Sequence, residues 1–213
     1  MVAIIDYDAG NIKSVEKAVI ALGHEAVVTR EREEILSAQH VILPGVGSFG
    51  DAMAKLEQYN LVDVIREVVE RKIPFLGICL GLQLLFDSSE ESPGIKGLGI
   101  LPGRILRIPD QDDLKIPHIG WNSLSFPNRG RLFVGVPEHS YVYFVHSYYL
   151  QADEQEIVTA VTEYGTLIHA SVEKENVFAC QFHPEKSSAA GLKILENFLH
   201  ITGCCGKKDG EDD

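Results

Sequence analysis

Positive charge is in short supply: 19 Lys and Arg stand against 31 Asp and Glu in 213 residues, a formal net charge of −12. Polyanion binding rests on basic side chains that neutralise phosphates, so this balance argues against a nucleic-acid partner. A small substrate or a protein partner is expected instead. Long apolar runs are missing too. No stretch approaches the ~20 residues that cross a bilayer, and Met1 leads into VAIID without the basic flank of a secretory signal. The expectation is a cytoplasmic protein with no membrane contact. Cysteine is sparse and unevenly placed, at 79, 180, 204 and 205, which builds neither a disulfide framework nor a zinc-ligand spacing. No metal or cofactor is expected, and each cysteine is read singly.

What is present is a 45% apolar chain, enough for one α/β core, since such domains commonly reach roughly 200–250 residues. Val2 to Asp6 reads as a buried strand, followed by a turn and a helix with Ile12, Val15, Val19 and Leu22 on one face. Glu25 to Val28 and His40 to Leu43 read as two more strands. Leu61, Val64, Ile65, Val68 and Val69 share a helical face, and Pro74 to Ile78 is a strand that feeds a helix over Leu80 to Phe86. Alternating strands and helices imply a mostly parallel central sheet flanked by helices. Past Ser92 the chain becomes strand-rich, with runs at Tyr141–Tyr149, Ile157–Glu163, Leu167–Val172 and Val177–Phe182. A final amphipathic helix carries Leu192, Leu195, Phe198 and Leu199. Residues 1–202 are read as a single domain and 203–213, with four acidic residues, as a mobile tail.

Gly77-Ile78-Cys79-Leu80-Gly81, between a buried strand and a helix, has the form of a nucleophile elbow, in which small flanking residues permit a tight turn. There a cysteine meets the partial positive charge of a helix start, which favours thiolate. The Leu80 N–H would point at a developing oxyanion. A thiol nucleophile needs a histidine, and of the eight in the chain His183 stands out, because it follows a strand and is spaced two residues from the carboxylate of Glu185. His118 and His146, beside apolar strands, read as hydrogen-bonded structural histidines. The glycine-rich turn Gly45-Val46-Gly47-Ser48-Phe49-Gly50 matches GxGxxG but has no phosphate-loop lysine. Its backbone N–H groups read better as the rest of an oxyanion hole.

These pieces resemble the class I, triad-type glutamine amidotransferases over nearly the whole chain. PGVGSFGDAM at 44–53, GICLGLQLLF at 77–86, PHIGWN at 117–122, YFVHSYY at 143–149 and HPEKS at 183–187 are similar to one branch of that family, glutaminase subunits of histidine biosynthesis. The resemblance implies a flavodoxin-like three-layer fold and a catalytic triad of Cys79, His183 and Glu185. It implies oxyanion donors at Val46 and Leu80, and L-glutamine contacts at Gly47, Gln83, Glu91, Ser147 and Tyr148. It also implies a heterodimer with a (βα)8-barrel cyclase subunit that consumes the ammonia, with Asp8, Asn11, Trp121, Asn122 and Lys186 at the interface. Two other readings stay open here: an amidotransferase subunit of a different biosynthetic synthase, and a non-catalytic subunit that keeps the fold for assembly.

Overall fold

The computed structural model describes residues 1–112 and 114–203. The tail expected to be mobile, Gly203 apart, and the Cys204-Cys205 pair lie outside the described residues. The first half of the chain runs β1 (Val2–Ile5), α1 (Ile12–Ala21), β2 (Ala26–Thr29), α2 (Arg32–Ser37), β3 (His40–Gly45), α3 (Phe49–Gln58), α4 (Leu61–Glu70), β4 (Phe75–Cys79) and α5 (Leu80–Gln83). The second runs β5 (Ser88–Ser89), β6 (Gly103–Arg107), β7 (His118–Ser123), β8 (Tyr141–His146), β9 (Tyr148–Ala152), β10 (Val158–Glu163), β11 (Leu167–Lys174), β12 (Val177–Cys180) and α6 (Ser188–Leu199). No described helix is long and apolar enough to cross a membrane.

Seven strands form the central sheet in the order β10-β11-β12-β4-β3-β1-β2. Pairing is parallel from β12 to β2 and antiparallel among β10, β11 and β12. Strands β1, β3 and β4 are buried along their whole length. That is why they read as unbroken apolar runs and not as alternations, since helices cover both faces. On one face α3 and α4 pack, the latter through Leu61, Val64, Ile65 and Val68; on the other lie α1 and α6. Each such buried side chain contributes roughly 1.5–3 kcal/mol relative to exposure.

Three expectations need correction. The run 141–149 is two strands, broken at Ser147: β8 pairs with β7, whereas β9 pairs with β6. The Ser147 carbonyl accepts from Ile108 N, which anchors the break. The helix expected over 80–86 is α-helical only to Gln83. The carbonyls of Leu84, Leu85 and Phe86 accept instead from Leu98, Ile100, Leu101 and Gly99, so the loop at 98–101 takes the bonds a fourth-residue helical partner would make. Leu192 is 38% exposed, while Ile194 takes the inward position beside Leu195, Phe198 and Leu199.

Register decides what meets at the sheet's carboxyl edge. Gly45 pairs with Cys79, and Cys180 with Ile78. The residues that follow β3, β4 and β12 therefore converge on one spot.

Candidate active site

Cys79 ends β4 and caps α5 with φ 56° and ψ −108°, a backbone conformation that L residues seldom adopt and that costs of order 1–3 kcal/mol. The glycines on either side explain how it is reached. A Cβ on Gly77 would lie 2.6 Å from the Gly81 carbonyl oxygen, and one on Gly81 would lie 1.9 Å from that of Leu43. The helix start is thus pressed against β3 by backbone contact alone. The side chain is nearly buried, 6% exposed, and opens only into a cleft of about 310 Å³.

His183 follows β12 and Glu185 lies in the single turn Pro184–Lys186 that leads to α6. Their side chains are fully buried, with Nδ1 of His183 2.8 Å from Oε1 of Glu185. The same oxygen accepts from Asn11 Nδ2 at 2.6 Å, a donor from the turn after β1. With Nδ1 committed to the carboxylate, the ring's working nitrogen is Nε2, which has no hydrogen-bond partner within the described fold. Burial pulls the His183 pKa down, but Cys79 and Glu185 outweigh it and raise the value to about 9. At neutral pH the ring is an imidazolium.

The cleft unites most of the residues expected in it. Val46, Gly47 and Leu80 line it with Cys79 and His183; so do Gln83, Glu91, Ser147 and Tyr148. Gly47 has φ 102°, a backbone conformation that glycine reaches without a side-chain clash. Glu91, not Glu90, faces inward: its Oε2 accepts from Phe49 N at 2.7 Å, while Glu90 turns to Arg107 N. Ser48 accepts from Asp51 N and Ser92 from Gly50 N. These partners occupy the first N–H groups of α3, which are therefore not open to a phosphate.

Of the residues expected at an interface, Trp121 is 50% exposed and shares a face of the β7–β8 hairpin with exposed Ile119 and Tyr141. Asn122 lies on the opposite face and donates to the Glu163 carbonyl. Asp8 is bound by Tyr59, Arg30 and Lys55, hydrogen bonds that hold its carboxyl below the usual range. Lys186 is exposed. Asn11 is turned inward onto Glu185, a contact that sequence reading does not reveal.

Two further residues went unread. Gln181 is fully buried with Nε2 3.7 Å from the Cys79 sulfur. Tyr7 is buried with an unpartnered hydroxyl, which a Cβ on Gly45 would approach to 2.4 Å; burial, then the charge of Cys79, raises its pKa. Only the pairing of β12 with β4 brings Gln181 to the cysteine, and that pairing leaves no local mark in the sequence.

A strained cysteine beside a carboxylate-bound histidine, on an α/β sheet of this order, has the groups that acyl transfer from an amide requires. Residues 3–202 match the family Glutamine amidotransferase class-I, and the chain belongs to it. The chain is 54% identical to the imidazole glycerol phosphate synthase subunit HisH of Moorella thermoacetica, over 96% of this chain and 97% of that one. It is 49% identical to the subunit of the same name from Methanocaldococcus jannaschii, over 94% and 100%. Among solved structures, a glutamine amidotransferase superposes with a TM-score of 0.73 at 21% identity, over 93% of this chain and 97% of the other. PurLQS from Thermotoga maritima gives 0.69 at 22%, over 93% and 96%. At such identities the likeness is one of fold.

Proposed function

We propose that Cys79 is the nucleophile of a glutaminase whose ammonia is used by a second subunit, as the subunit of imidazole glycerol phosphate synthase in histidine biosynthesis. The observation that carries it is the joining, in one cleft, of the strained Cys79 with the buried His183–Glu185 pair. The sulfur attacks the side-chain carboxamide carbon of glutamine. His183 gives its Nε2 proton to the departing nitrogen, ammonia leaves, and a γ-glutamyl thioester remains. Water then adds to the thioester with His183 as base, which releases glutamate and restores the imidazolium and the thiolate. Glu185, held by Asn11, keeps the ring in the tautomer and charge state this needs.

Developing negative charge on the carbonyl oxygen is met by the N–H groups of Val46 and Leu80. Gly47, Gln83, Glu91, Ser147 and Tyr148 hold the amino-acid end of the substrate. Both amide protons of Gln83 are used inside the fold, on the Tyr148 carbonyl and on Gln181, so what it offers the cleft is an acceptor.

The partner is a (βα)8-barrel cyclase subunit, docked as a heterodimer over the cleft and the exposed Ile119, Trp121 and Tyr141, with Asp8, Asn11, Asn122 and Lys186 near the contact. Covering the site makes chemical sense, because ammonia released to water is mostly ammonium and no nucleophile. In the reconstituted complex, Cys79→Ala abolishes synthesis from glutamine and spares synthesis from added ammonium salt. Loss of both activities would make Cys79 a structural residue and sink this reading.

A further inference from the structure

Cys79 has a neighbour that the reaction described above does not use. Gln181, immediately after β12, is fully buried, and its side-chain Nε2 lies 3.7 Å from the Cys79 sulfur. Its Oε1 is 3.0 Å from Nε2 of Gln83, and that same nitrogen is 3.0 Å from the Tyr148 carbonyl oxygen.

The direction of this chain follows from its far end. A backbone carbonyl only accepts, so the Gln83 group facing Tyr148 must be its NH2. The second proton of that NH2 goes to Gln181, whose facing atom must then be oxygen. That leaves the Gln181 NH2 turned toward sulfur. Two amides whose orientation would otherwise be free are thus set by one main-chain group, and a donor is delivered to the cysteine. Among the described residues it is, with the His183 ring, one of two donors within reach of that sulfur, and the one that carries no charge.

We propose that Gln181 is a positioning residue that donates a hydrogen bond to the Cys79 sulfur, favours the thiolate over the thiol and aims it at the cleft, with Gln83 and the Tyr148 carbonyl fixing the donor's direction. This rests on the reading of Cys79 as nucleophile and deepens it. The ionisable groups around the sulfur are Tyr7 after β1, His183 with Glu185 behind it, and Cys180 on β12; Glu91 and His146 line the same cleft. Each of these changes charge with pH. Gln181 does not, so its pull on the thiolate is constant across the working range. A hydrogen bond from a neutral donor to an ionised acceptor is stronger than one to its neutral form, and it is not screened where water is excluded.

The test measures alkylation of the full chain by iodoacetamide as a function of pH, with peptide mapping to count modification at Cys79 separately from the other cysteines. Gln181→Met keeps the volume and removes the donor. It should raise the pH midpoint of Cys79 alkylation by about one unit, a roughly tenfold smaller thiolate fraction below the midpoint. Gln83→Met, which frees the Gln181 amide to turn, should raise it by less. Thermal unfolding of each variant checks the fold, and a residue that merely packs would change that curve and leave the midpoint alone. An unchanged midpoint in folded Gln181→Met overturns the proposal. If Gln181→Met does not fold, Gln83→Met decides: a raised midpoint supports the hydrogen-bond chain and an unchanged one overturns it. Wild-type Cys79 that resists alkylation at every pH overturns the nucleophile reading and this proposal with it.

Discussion

Two pairs of buried side chains built on histidine each put one ring on this cleft and behave in opposite ways. His118 and His146 face each other across the β7–β8 ladder, Nδ1 to Nε2 at 3.0 Å, with the far nitrogen of His146 on the Tyr148 carbonyl. Burial lowers His118 to about 4; burial lowers His146 to about 3, opposed by the hydrogen bond to the Tyr148 carbonyl and helped by the lesser effects of His118 and His183. His183 is as hidden as either, yet its pKa is raised to about 9. The difference is the partner. A carboxylate and a thiol outweigh the burial that discharges the other two rings. The cleft is therefore lined by one neutral imidazole, His146, and one imidazolium, His183, from a single residue type.

The heaviest blow to this contrast is Glu185→Gln. With the carboxylate gone, Cys79 alone is left to oppose burial, and the His183 pKa falls. Glutamine hydrolysis in the complex should fall roughly 10²–10⁴-fold. The pH profile of the residual rate would report the lowered histidine; an unmoved profile would mean the carboxylate is not what holds the charge. Smaller, and opposite in sign, is the effect of acid on the neutral pair. A group whose folded pKa is depressed stabilises the fold above its unfolded value near 6.5 and loses that contribution as pH falls toward 4 and 3. Urea unfolding should therefore show a loss of at least about 2 kcal/mol between pH 6.5 and 4, each unit of depression being worth about 1.4 kcal/mol. His183 contributes in the other window, fully below 6.5 and progressively less as pH rises through about 9. A shallower acid limb in His146→Gln than in wild type would assign the share of His146, since His118 is lowered by burial on its own. The smallest change is Asn11→Ala, which removes one charged hydrogen bond to Glu185. About a tenfold drop in kcat with KM little changed is expected, and a rise in KM alone would place Asn11 in substrate binding instead.

The parts of the fold that sequence made legible share one property: their signal is local. Strands β1, β3 and β4 are runs buried on both faces, and α4 shows its inward stripe at helical spacing. The Gly-x-Cys-x-Gly elbow is local too, since the clashes that forbid side chains at 77 and 81 arise within a few residues of the cysteine or on the adjacent strand. His183 with Glu185 is legible because the pair is two residues apart. What escaped depends on distant chain. Nothing near Ser147 announces that β8 and β9 serve different sheets, because the break is anchored by Ile108. Asn11 reaches Glu185 across 174 residues of sequence, and Gln181 reaches Cys79 across 102. Both donors look like ordinary polar side chains until the sheet order is known.

Gly81 carries a consequence for how this chain can change over time. With 1.9 Å between a would-be Cβ and the Leu43 carbonyl, no rearrangement of a flexible neighbour makes room, because the obstacle is main chain in the middle of a sheet. Side chains along α5 can be exchanged by repacking, and even the cysteine can be replaced in place. The bare position beside it has no such latitude, so the residue with nothing to contribute chemically is the one on which drift in this stretch is most narrowly confined.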